Sequence, residues 1–319
     1  MQPQNRLQNM PVTFFAMVMG LAGLTVAWEK AGQIHAVNSA IAATLLVQSL
    51  TVFGLLLVLY IAKGWYFRDA MRQEWANPVR MNFVPAISIS LLLFAVAFLP
   101  LSLPISRVLW IAGTSMHLLI SLHVINSWLH QQHFEIHHMN PAWFIPAVGN
   151  VIVPLAAVPL GYIEIAWFFF STGMMLWLVL LVIVFNRIIF HQPLPEKLLP
   201  TLFILIAPPA VGFLSYISLT GSVDTFALVL YNFALFLTLL LFSQFPRFVR
   251  LPFFMSWWAY SFPLAAMSIA SMELGRISSN AFFSQVGLVL LLLLSVLVLM
   301  LFIKTLRAAQ SGTICVPES

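Results

Sequence analysis

Charge is what this chain has least of. Only 7% of its 319 residues are Asp, Glu, Lys or Arg, against about 25% in an ordinary soluble domain. Apolar residues make up 61% of the chain, and the mean hydropathy is +0.99. That balance excludes both a soluble globular domain and a disordered one. Cysteine is nearly absent too. The single Cys315 excludes an internal disulfide and any thiolate metal cluster. Basic residues exceed acidic ones, 14 to 9, but they are scattered over short segments and form no patch, so nucleic acid is excluded as a partner. Lys and Arg are missing from the centre of every long apolar run, where each would cost about 2.5–3.5 kcal/mol on insertion scales.

What is present is a series of ten apolar stretches, at approximately 13–28, 38–62, 82–99, 107–129, 142–158, 162–186, 198–219, 225–243, 253–272 and 281–303. Their length and lack of central charge read as membrane-spanning helices. The expected architecture is an all-α polytopic membrane protein with ten transmembrane helices. One transmembrane domain then fills 1–319, with short cytoplasmic tails at about 1–12 and 304–319. No small-residue cleavage site follows the first stretch, so it is read as retained. Membrane lipid is the solvent of nearly the whole chain.

Prolines divide the stretches into two kinds. Pro85 lies in the third, Pro146 and Pro154 in the fifth, Pro208 and Pro209 in the seventh, and Pro263 in the ninth. The first carries Gly20 and Gly23 instead, and the even-numbered stretches hold no proline. Proline removes a backbone donor and crowds the preceding turn, which predicts bent or broken odd helices and straight even ones. Freed backbone groups at membrane depth survive only where protein or a water-filled cavity satisfies them. The alternation therefore predicts five hairpins whose odd helices surround a common path, the shape of a pore.

Orientation follows from the basic residues. With ten spans, Arg6, Lys63, Arg68, Arg72, Arg80, Arg187, Lys197, Arg247, Arg250, Lys304 and Arg307 share the side of the termini. Only Lys30, Arg107 and Arg276 fall opposite. Positive-inside bias puts the larger set, and both termini, in the cytoplasm of a plasma (inner) membrane protein. The longest link, 63–81, has Trp65, Phe67, Met71 and Trp75 at helical spacing. It reads as an extension of the second helix or an interfacial helix, ended by Asn77-Pro78.

Chemistry-bearing residues are few. Glu29, Glu164, Asp224 and Glu273 fall at stretch ends on the non-cytoplasmic side. Asp224 reads as a helix N-cap, and Glu273 is the candidate for a titrating group. No carboxylate sits near a midplane, where a proton-coupled carrier would keep one. Histidines cluster from His117 to His138, and spacing puts His130, His133 and His137 on one helical face. His133-x-x-x-His137-His138 matches one box of the membrane di-iron desaturases. That class needs several boxes and no second one is present, so the cluster reads as a solvated loop. No catalytic residue, metal or cofactor is expected.

Several motifs together resemble one family. They are N-P-V-R at Asn77 to Arg80, P-A-W-F-I-P-A-V-G-N from Pro141 to Asn150, and A-P-P-A-V-G-F-L-S-Y from Ala207 to Tyr216. G-S-V-D-T follows at Gly221 to Thr225, and W-W-A-Y-S-F-P-L-A-A-M runs from Trp257 to Met267. In this order the chain resembles the tellurite-resistance/dicarboxylate transporter family, the TehA-like bacterial relatives of the plant slow anion channels. The resemblance implies inner and outer helices around a quasi-fivefold pore, a homotrimer with a pore in each subunit, and passive passage of small anions. It also implies that Phe262 plugs the pore, since an apolar ring across a narrow conduit excludes water and blocks ions without charge. Three positions depart from the family pattern: Ala16 and Pro263 stand where glycine is expected, and Pro208-Pro209 doubles a single proline.

An uncharged conduit holds anions weakly and favours large, weakly hydrated ones such as nitrate or iodide over strongly hydrated ones; small monovalent anions, chloride and nitrate among them, are the expected passengers. Free amides at the helix breaks are expected to supply a mild positive field. The alternative is a secondary transporter or efflux protein for dicarboxylates or oxyanions such as tellurite.

Overall fold

The computed structural model describes residues 6–130 and 134–316, and among them regular structure is helical throughout, with no strand. In chain order the helices are α1 (Phe15–His35), α2 (Ala40–Tyr66), α3 (Arg68–Ala76), α4 (Ala86–Phe98), α5 (Leu103–His130), α6 (Phe144–Ile152) and α7 (Pro154–Ala157). They continue as α8 (Ile163–Phe190), α9 (Ala207–Thr220), α10 (Thr225–Ser243), α11 (Phe245–Val249), α12 (Ser261–Ser278) and α13 (Ala281–Gln310).

The odd and even apolar stretches differ as the prolines predict, but by another device. Each odd stretch starts with a 3₁₀ segment: Val12–Phe14, Arg80–Phe83, Pro141–Trp143, Glu196–Ile206 and Met255–Tyr260. Each even stretch is one unbroken α-helix: α2, α5, α8, α10 and α13. The prolines sit at the junctions. Pro85 immediately precedes α4, Pro154 opens α7, Pro208 and Pro209 fall in the first turn of α9, and Pro146 and Pro263 are third in α6 and α12. First-turn amides have no α-helical partner, so proline there costs little and starts a helix instead of bending one. Only the fifth stretch is broken midway, between α6 and α7 at Val153.

That arrangement corrects the expected field of free amides. The junction amides donate into the preceding turn, Val84 N to Met81 O at 3.2 Å, Ile87 N to Val84 O at 3.2 Å and Trp143 N to Asn140 O at 3.0 Å.

Burial separates the two sets further. Within the most apolar window of each span, 78% of the first stretch, 83% of the third and 78% of the seventh are buried, against 28% to 39% for the even helices. Every residue of α6 is buried, as is α12 from Ser261 to Met272. The odd helices are therefore the inner ones, and the even helices carry the exposed Leu, Ile, Val and Phe side chains that face lipid. Eight helices among the described residues are long and apolar enough to cross a membrane. Pro141–Ala157 is shorter, and α12, whose far end carries Glu273 and Arg276, is not in that set. Both are enclosed by other helices, so neither needs a lipid-compatible surface. Inner and outer helices are stitched by hydroxyls and an indole: Ser106 Oγ donates to Ala95 O at 2.7 Å, Ser268 Oγ to Gly287 O at 2.8 Å and Trp110 Nε1 to Val153 O at 3.1 Å.

Several boundaries differ from the sequence reading. α1 continues to His35 and closes at Ala36 in the left-handed region (φ 53°), which makes Glu29 and Lys30 helical. α13 runs to Gln310, into the first part of the expected C-terminal tail. The N-terminal segment is no free tail either. Lys63 Nζ donates to Met10 O at 2.7 Å and pairs with Glu74 at 2.7 Å, while Glu74 Oε1 accepts from Val12 N at 2.7 Å. Lys63 and Glu74 are both buried, so one basic residue assigned to a loop is a buried clasp. The 63–81 link is realised as a separate helix, α3, closed at Asn77. Asp224 caps α10 by accepting from Ala227 N at 3.0 Å.

Candidate functional site

Two cavities lie between the inner helices. The larger, of about 850 Å³, takes lining residues from all five odd stretches, including Gly23 and Val26, Leu93 and Val96, Leu155, Val211 and Leu214, and Phe262, Ala265 and Ile269. Its wall is apolar over this depth. Charge enters only at one end, where Glu29, Lys30, Glu273 and Arg276 line it beside Gln33. The smaller cavity, of about 40 Å³, is walled by Ala16, Met19, Ile89, Gly149, Trp258 and Pro263 among others. Phe262 lines both.

The ring is placed by close approach of α1 and α12. A Cβ on Gly23 would lie 3.1 Å from Ala265 Cβ and 3.3 Å from Phe262 Cδ2. One on Gly20 would fall 2.1 Å from Ser261 Oγ and 2.8 Å from Ser261 Cβ, a distance that side chains do not tolerate. The glycines of the first stretch therefore replace proline as its special feature, because they let α12 seat against α1. Phe262 is held at the second position of α12, 9% exposed, where Met255–Tyr260 gives way to the α-helix.

The other sequence candidates divide. Pro263 lines the small cavity, and Gly20 faces α12 at the contact just described. Pro85, Pro146, Pro154, Pro208 and Pro209 line neither cavity; they start helices, and their role is placement. Glu273 faces the large cavity but not as a lone titrating acid. Its carboxylate accepts from Arg276 Nη2 at 2.6 Å and Nε at 3.2 Å, and lies 3.2 Å from Lys30 Nζ. Two cations already contact it.

Among the described residues, His130 and His137 do not share one helix. α5 ends at His130, His133 lies outside the described residues, and His137 and His138 belong to a 3₁₀ turn, Ile136–His138. His138 Nδ1 accepts from Glu135 N at 3.1 Å, and His137 Nδ1 is 3.1 Å from Glu135 Oε2. His117 belongs elsewhere: fully buried, it meets Ser88 Oγ at 2.9 Å and Ser121 Oγ at 3.2 Å, behind Gly149 in the wall of the small cavity.

Sequence reasoning missed Lys30, Arg276 and Glu29 as cavity residues because it cut the helices short. Helical spacing carries the signal. From Phe262, positions 265, 266, 269, 273 and 276 continue one face of α12, and from Gly23, positions 26, 30 and 33 continue one face of α1.

Comparison with known proteins agrees with this architecture. Residues 9–306 match the family model SLAC1, described as voltage-dependent anion channel. An uncharacterized transporter of Methanocaldococcus jannaschii is 25% identical, over 97% of this chain and 97% of that protein. The S-type anion channel SLAH3 of Arabidopsis thaliana is 27% identical over 94% of this chain but 48% of its own length, so the chain spans about half of that plant relative. A tellurite resistance protein TehA homolog of Haemophilus influenzae is 28% identical over 83% of this chain and 84% of that protein.

Proposed function

Since this integral membrane protein belongs to the SLAC1 family of voltage-dependent anion channels, we propose that it conducts small monovalent anions passively through a pore enclosed by its five inner segments. One observation carries the reading. All five inner segments contribute to one cavity of about 850 Å³, and a single apolar side chain, Phe262, lines both it and the next cavity. An anion enters at the charged outer end, meets an apolar wall that retains it weakly, and is stopped where the ring leaves no room for its water. Turning the ring aside joins the cavities and wets the path. Weak retention favours monovalent anions with loosely held water, nitrate and chloride among them.

In this reading the α6–α7 pair and α12 cross the membrane with the eight long spans, giving ten. Both termini lie in the cytoplasm of the plasma membrane, and the lipid-exposed even helices supply the faces on which three subunits assemble, each with its own pore. Current recording from purified protein in a planar bilayer under a salt gradient tests the proposal. Currents well above carrier turnover, reversing near the anion equilibrium potential, are expected. Turnover-limited flux of dicarboxylates or tellurite would replace the channel by a carrier.

A further inference from the structure

The charged end of the large cavity contains more than an interfacial ion pair. Glu273 is gripped by Arg276 through two of its nitrogens, Nη2 at 2.6 Å and Nε at 3.2 Å, and by Lys30 Nζ at 3.2 Å. A guanidinium fork bonded bidentately, with an ammonium beside it, is the arrangement that recognises a carboxylate or planar oxyanion. All three groups line the cavity. The Glu273 side chain is only 12% exposed, whereas Lys30 is 27% and Arg276 52% exposed, so the cations face the water through which a ligand would come. The two cations reside on different helices, α1 and α12, which pack closely at Gly20 and Gly23 and are joined again here by the Lys30–Glu273 pair.

We propose that Lys30 and Arg276 form a binding site for small carboxylates and oxyanions at the outer end of the cavity, and that Glu273 is its tethered occupant. A side-chain carboxylate in contact competes as an intramolecular ligand, equivalent to a free anion at roughly millimolar concentration or above. With Glu273 seated, a passing monovalent anion finds the fork satisfied and is not retained. A dicarboxylate must displace Glu273 and also approach Glu29, which lies in the same wall and accepts from Gln33 Nε2 at 3.0 Å. The outer end thus passes singly charged anions and turns doubly charged ones away. This selective consequence rests on the pore reading; the binding site itself does not.

Glu29 provides a control at the same end of the cavity, since Glu29→Gln replaces a carboxyl that touches neither cation of the fork, whereas Glu273→Gln removes the charge of the group that fills it. The measurement is calorimetric titration of purified protein with succinate at low ionic strength. A freed charge-assisted fork predicts binding at least about tenfold tighter in Glu273→Gln than in wild type, with Glu29→Gln staying near wild type. Equal affinities in the two variants would reduce the effect to a general field and overturn the site. Glu273→Asp keeps the charge but is one methylene too short to reach both cations, so it should bind succinate at an intermediate level. Should Glu273→Gln not elute as the wild-type oligomer, wild-type affinity in Glu273→Asp overturns the proposal by itself. Tight succinate binding in a protein that carries no current even after Phe262→Ala would keep the site and discard the pore. Normal currents with no gain of affinity would do the reverse.

Discussion

Replacing Phe262 by alanine removes the one side chain that lines both cavities. A Phe-to-Ala change in a closed core costs about 3–5 kcal/mol, part of it for the void left behind. Here one side of the ring already borders about 850 Å³ of open space, so the vacated volume joins an existing cavity and little new void forms. What remains is the transfer term for the lost ring, about 1.5–3 kcal/mol, and the contact with Gly23. The variant should therefore purify as the same oligomer with a modestly lower thermal midpoint. Its anion current in a planar bilayer should rise at least about tenfold, equivalent to about 1.4 kcal/mol off the barrier to passage. Selectivity among anions should change less than conductance, since the apolar wall and charged outer end are untouched. Phe283, which meets Tyr231 edge-to-face at 5.5 Å on the outer side of the bundle, is the control: its truncation should lower stability and leave current alone. A Phe262→Ala protein that folds as wild type and conducts no better would place the obstruction elsewhere and refute the reasoning.

The other predictions concern parts of the fold away from the ring. A reporter that fluoresces only in the cytoplasm should glow when fused after Ser319; a dark fusion, with an active periplasmic reporter at the same point, would overturn the topology. Glu74→Gln leaves Lys63 buried without its anion and should cost about 3–5 kcal/mol, read as a lowered thermal midpoint, whereas replacing Lys63 and Glu74 together by Met and Leu should cost much less. Gly149→Ala drives a methyl to 2.2 Å from His117 Cε1 and 2.8 Å from Ile89 Cδ1 and should cost about 1–3 kcal/mol as overpacking; the cost should shrink in a His117→Ala background, which leaves only the Ile89 contact, measured as a double-mutant cycle. Gln replacement of His130, His133, His137 and His138 together should leave expression and anion flux near wild type, and loss of activity with loss of bound iron or zinc would contradict the pore.

Much of the fold was legible because lipid imposes a strong rule on sequence. The ten apolar stretches all became helical, and the proline alternation sorted inner from outer. The ends were less legible, because hydropathy falls before a helix does. Glu29 and Lys30 ended the first apolar run, but the backbone of α1 continues six residues past Glu29 to His35. For that reason the charged end of the large cavity was read as loop. Lys63 was misplaced for the opposite reason. Its partner Glu74 lies on the next helix and its acceptor Met10 in the N-terminal segment, and neither contact follows from local spacing. The histidines are near in sequence but not in environment, His117 being buried and His137 exposed, and burial of a single polar residue on an even helix has no local sequence signal. Phe262 was reached through a family resemblance and not through its surroundings; among 28 phenylalanines, nothing local distinguishes a ring that lines two cavities from a ring in a core.

Encasement explains both the success and the shortfall of the proline rule. A helix surrounded by other helices can carry 3₁₀ turns, serines and first-turn prolines, because neighbouring protein satisfies what lipid cannot. Ser88 and Ser90 bond back to Pro85 O and Ala86 O at 2.8 and 2.7 Å, and Ser215 Oγ crosses to Val151 O at 2.5 Å. The same licence lowers the hydropathy of α12, which bears Ser261, Ser268, Ser271, Glu273 and Arg276 and is less apolar than the long spans. Hydropathy alone thus undervalues the very helices that enclose the path. The prolines mark them because a mixed 3₁₀ and α backbone is tolerated only inside, and there it sets the start of each α-segment. On α12 that start falls at Ser261, one residue before Phe262, so the junction that defines an inner helix also fixes the ring that lines both cavities.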